Sequence, residues 1–90
     1  MASRLAHEDR VLSMHPDDSV AIALQALAID DRIDRRLKSR DDIPVGHKVA
    51  VRHIGQGDWI RKYGHVIGVA SRAIRAGEHV HTHNLAYTTI

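Results

Sequence analysis

The stretch "HVHTHN", residues 79–84, sets histidines at positions 79, 81 and 83. On a strand, residues two apart share a face, so His79, His81 and His83 would form an imidazole row with a spacing of about 6–7 Å per step. Imidazole changes charge near neutral pH and also ligates metals, so the row suits proton transfer or chelation, and His81 and His83 are the candidate metal ligands. The alternative is a polar strand face that happens to be rich in histidine. If the strand ends at Asn84, its amide offers both a donor and an acceptor to a substrate hydroxyl. A second group, "GHK", places His47 and Lys48 directly after Gly46. There His47 can act as acid or base and Lys48 can neutralise a carboxylate. In "KYG" (62–64) Lys62 is expected to face substrate, while Tyr63 is expected in the core. The other histidines, at 7, 15, 53 and 65, read as ordinary surface residues.

These residues must be held by a scaffold, and its sign is a recurring heptad: Ile, two residues, Gly, two residues, then Val or Ile. It stands as "IPVGHKV" (43–49), "IGQGDWI" (54–60) and "IRAGEHV" (74–80), with a degenerate copy, "LAIDDRI" (27–33), in which Asp30 replaces glycine. The pattern predicts a tight turn entering a strand, the central residue at positive φ and the flanking apolar residues packed inward. Glycine this frequent disfavours helix. "VLSMH" reads as a short strand and "PDD" as a turn. "SVAIALQAL" reads as a strand, although its Ala, Leu and Gln would also suit a helix. The expected fold is all-β, made of short bent strands with Gly turns over residues 11–90, preceded by a loose N-terminal tail, residues 1–10. Trp59, within a turn, is expected to cover the core.

At 90 residues there is room for one domain. With no Phe, one Trp and two Tyr, its interior must be aliphatic and thin, so a partner surface would help it. No cysteine is present, which excludes disulfides and thiolate-held clusters and leaves nitrogen and oxygen for any metal. No apolar run has the length of a membrane span or a signal peptide, so a cytoplasmic location is expected. The net charge of +2 comes from cations interspersed with acids. No basic face stands out, "DRRLKSRDD" (34–42) reads as a solvated connector, and nucleic acid is not expected as a partner.

"IPVGHKVAV", "KYGHVIG" and "IRAGEHVHTHN", with the "HPDDSVAIAL" opening, resemble the N-terminal SAF domain of the altronate and galactarate dehydratase family, over roughly residues 11–85. The resemblance implies a small β-clip fold. It also implies the small subunit of a hydro-lyase acting on a sugar acid, or of the similar sulfolactate sulfo-lyase, completed by a large catalytic partner chain. Oligomeric state stays open, a homo-oligomer included. A divalent metal, iron(II) or a related ion, is implied as cofactor, held mainly by the partner, with this chain's own share in its ligation left open. The residues expected to act are His81, His83 and His47 in catalysis, with Lys48, Lys62 and Asn84 on substrate. A non-catalytic carbohydrate- or protein-binding module is the other reading.

Overall fold

A computed structural model describes residues 10–13 and 15–87. The expected N-terminal tail lies outside the described residues except for Arg10. Seven strands are present: β1 (Val11–Leu12), β2 (Val20–Ala23), β3 (Lys48–Ala50), β4 (Trp59–Lys62), β5 (His65–Ala70), β6 (His79–Val80) and β7 (Leu85–Ala86). They form two antiparallel sheets, ordered β1-β2-β3-β6 and β4-β5-β7. No α-helix occurs among the described residues, and no helix is long and apolar enough to cross a membrane. The all-β expectation is met.

The four heptads account for most of the architecture. Each makes a turn closed by an i to i+3 bond, from Asp31, His47, Asp58 and Glu78 N–H to the carbonyls of Ala28, Pro44, Gly55 and Arg75. The third residue of each turn has positive φ: 74° at Asp30 and 84°, 84° and 94° at Gly46, Gly57 and Gly77. That is the requirement of a type II turn, and aspartate tolerates the left-handed region better than most residues, so Asp30 can stand in for glycine. Each third residue also clasps a small residue in another heptad's approach. Asp30 N–H donates to Ser39 O and Ser39 N–H to Asp31 O, while Gly46 and His47 make the same pair of bonds with Ala23. Gly57 and Asp58 clasp Ala70, and Gly77 and Glu78 clasp Ala50. The clasps are reciprocal within two pairs of heptads, and each pair is closed by an antiparallel bridge, Leu27 to Ile43 and Ile54 to Ile74.

The apolar residues flanking the turns, Leu27, Ile33, Ile43, Val49, Ile54, Ile60, Ile74 and Val80, are all at most 3% exposed. They divide between two cores. One, around Val20, Ile54, Ile60, Ile74 and Val80, joins the two sheets. The other, around Ala21, Ala23, Ile33, Ile43 and Val49, covers the opposite face of the first sheet. Strand β2 is therefore buried on both faces, which explains why "VAIA" lacks a polar–apolar alternation.

Expectations for one strand and for two aromatic residues are corrected. Strand β1 ends at Leu12 rather than running through "VLSMH". In the "PDD" turn, closed by Asp18 N–H to His15 O, the Asp18 carboxylate accepts from Gly64 N–H, 46 residues away. Neither Trp59 nor Tyr63 enters the core; they are 49% and 43% exposed. Tyr63 has φ 55° and Gly64 φ 77°, the pair of left-handed residues that closes a two-residue hairpin between β4 and β5. That corner turns the phenol ring outward.

Candidate functional site

Three of the four turns hold their own first residue with an acid. Asp31 accepts from Ala28 N–H, Asp58 from Gly55 N–H and Glu78 from Arg75 N–H. In the second turn that first residue is Pro44, which has no N–H to satisfy. The acid's position is thereby released, and His47 occupies it. Its side chain leaves the turn and meets β6, where Nδ1 lies 2.8 Å from His79 Nε2.

His79 is the hub of a four-imidazole cluster. Its ring centroid is 5.0 Å from His47, 5.5 Å from His81 and 5.4 Å from His83, and His47 and His81 stack at 4.7 Å with only 11° between their planes. His79 and His83 also line an open cleft of about 880 Å³ that includes Asp41, Asp42, His53 and Arg72. Burial comes first in lowering the His79 pKa, followed by repulsion from His47, His83 and His81, while Asp41 pulls weakly the other way. The Asp41 carboxylate accepts from the His79 backbone N–H at 2.8 Å.

The row is not the straight strand face that the spacing predicts. Strand β6 stops at Val80, and residues 81–84 form a turn whose His81 carbonyl accepts from Asn84 and Leu85 N–H. Asn84 produces this ending. It is 1% exposed, its Oδ1 accepts from His81 N–H and its Nδ2 donates to His79 O, both within 2.9 Å. The amide expected to meet substrate instead fixes the backbone on which two of the histidines stand.

The two lysines lie apart from the imidazoles. Register pairs Val49 with His79 and Lys48 with Val80, so Lys48 leaves the sheet on the face opposite His79. The Lys48 pKa is lowered, first by burial and then by the charge of Lys62, which places these two cations in one electrostatic neighbourhood. Lys62 Nζ also sits 4.9 Å over the Tyr63 ring. The structure thus gathers His47, His81 and His83 with His79, groups Lys48 with Lys62, and buries Asn84 between strand and turn. Sequence reasoning undervalued His79 and passed over Asp41. Proline in place of an N–H donor at position 44 was the available signal that His47 is free.

Among the described residues, no three His, Asp or Glu side chains converge on a point where a metal ion could be held. The donor set of this chain therefore does not by itself fit the divalent metal that the resemblance implies.

The SAF-domain model of altronate/galactarate dehydratases matches residues 9–88. The chain belongs to that SAF-domain family. It is 40% identical over 76 residues to altronate dehydratase of Bacillus subtilis, a match covering 81% of this chain but 15% of that enzyme. Altronate dehydratase of Escherichia coli shows the same identity and coverage. The alpha subunit of (2R)-sulfolactate sulfo-lyase from Paracoccus pantotrophus is 46% identical over 54 residues, covering 60% of this chain and 81% of that subunit. This SAF domain therefore corresponds to a small part of the two dehydratases and to most of a sulfo-lyase subunit.

Proposed function

We propose that this SAF domain supplies one wall of a lyase active site, acting on a sugar acid such as altronate or galactarate, or on sulfolactate, with a large partner chain completing the cavity. Support comes from the family membership, from the relative that is itself a subunit, and above all from the 2.8 Å approach of His47 Nδ1 to His79 Nε2 within four gathered imidazoles.

The elimination needs a base for the proton α to the carboxylate and an acid for the departing group. In the tautomer with Nδ1–H donated by His47 to His79, the lone pair of His47 Nε2 is free to take a proton. Its lowered pKa keeps His79 neutral and accepting, so it steadies the imidazolium formed on His47. His83, on the cleft beside His79, is the candidate acid for the leaving group. Any iron(II) the reaction uses rests mainly on ligands of the partner, and Lys48 and Lys62 act away from the proton-transfer face.

Co-expression with a partner carrying the large catalytic region, followed by assays on altronate, galactarate and sulfolactate, tests the reading. His83→Ala should abolish turnover with subunit association intact. Unchanged turnover removes the assignment, and ligand retention by the isolated chain without any lyase activity in the complex would favour a binding module.

A further inference from the structure

The connector between the first two turns is solvated along most of residues 34–42, as expected, but it is ordered. Ile33 is buried and Leu37 packs on the second core. Ile33 N–H donates to Leu37 O, Arg36 N–H to the Asp34 carboxylate, and the Arg32 guanidinium to Arg35 O. The connector is then drawn against the fourth turn: Arg40 N–H donates to Gly77 O and its Nε to Ala76 O. Between them lies an open groove of about 700 Å³, into which Arg32, Arg36, Lys38, Arg40 and Arg75 project, with His53 at its edge and Asp30 as the one acid on its wall. Of the five cations only Arg75 has a carboxylate partner, Glu78, among the described residues. Folding thus turns most acids of this stretch away from its cations, a separation that the linear charge pattern does not show.

We propose that this groove is a docking site for an extended acidic segment of a partner polypeptide. Four uncompensated cations strung along a pinned loop do not converge on a single small anion, but they match a chain that offers successive carboxylates. Hydrogen bonding has already ordered the loop, so binding does not have to order it again. No Phe, Tyr or Trp lines the groove and His53 is its one ring, which disfavours nucleobase stacking as the source of affinity. The inference does not rest on the lyase reading: none of the four clustered histidines lines the groove, although His53 and Arg75 line both the groove and the neighbouring cleft.

The test uses the full chain and a fluorescein-labelled decaglutamate peptide, followed by anisotropy across a salt series. Saturable binding that weakens with salt is expected. Arg36→Glu and Lys38→Glu should each weaken it about tenfold. Arg35→Glu makes the same charge change as Arg36→Glu, on the same loop but off the groove wall, and should weaken it less than about threefold. Circular dichroism of each variant checks that the sheets persist. Equal losses from Arg35→Glu and Arg36→Glu, absence of saturable binding, or tighter binding of a ten-nucleotide oligothymidylate would each overturn the proposal.

Discussion

His47 Nδ1 and His79 Nε2 lie 2.8 Å apart although 32 residues separate them in the chain. One enters from a turn whose first residue is proline and the other from a two-residue strand, so neither local segment alone defines the pair. Their coupling is measurable without substrate. His47→Ala removes a repulsive neighbour, so the His79 pKa should rise in an NMR titration yet stay below 6.5, because burial is the larger cause of its depression.

The same depression makes stability depend on pH. With a folded pKa below its unfolded value, His79 binds protons more readily in the unfolded chain. Its contribution to stability is therefore complete above about pH 6.5 and is lost as pH falls from there through the lowered folded value. Urea unfolding at pH 7.5 and pH 5 should show that loss, and His79→Asn should shrink the difference between the two.

Asn84→Ala should lower unfolding free energy by about 2–3 kcal/mol, since it leaves two buried backbone groups, His81 N–H and His79 O, without partners. Denaturant melts measure this. Asn84→Asp should also destabilise, because the oxygen that replaces Nδ2 cannot donate to His79 O.

Gly77 and Gly57 have similar positive φ but different surroundings. A Cβ at Gly77 would meet the carbonyl of Lys38, whereas at Gly57 nothing lies within 4 Å. Gly57→Ala should cost about 1–2 kcal/mol from the left-handed backbone alone. Gly77→Ala should cost more and should also weaken decaglutamate binding, because the connector must shift.

Lys62→Met should raise the pKa of Lys48 toward 10.5 without restoring it, since burial outweighs the second cation. A heteronuclear titration of the Lys48 side chain checks the order of the two causes.

Much of the scaffold was legible because its turns repeat. The heptads marked all eight inward residues and identified Asp30 as a glycine surrogate, since left-handed backbone and apolar flanks leave a residue-level trace. The aromatic residues were misread for a related reason. Tyr63, expected in the core, is governed by a corner that needs two left-handed residues in succession. At the site, spacing on a strand suggested the row 79, 81, 83 but not the turn that Asn84 imposes after Val80. The separation of Lys48 from His79 follows from which residue pairs with which across β3 and β6, and pairing across 30 residues has no signature in one sequence. The basic groove was legible only in part: Arg32, Arg36, Lys38 and Arg40 stand close together in the sequence, but that Asp30 is the one acid sharing their wall, and that Arg75 joins it, depends on the fold.

The substitution of proline at position 44 has a wider consequence. Four corners share one backbone plan, and in three of them the side chain after the left-handed residue is committed to holding the corner closed. Replacing one N–H by a pyrrolidine ring relieves that side chain of its structural duty with no change in the path of the main chain. New chemistry can therefore be introduced here one corner at a time, by exchanging a donor for a ring and leaving the neighbouring corners to carry the stability.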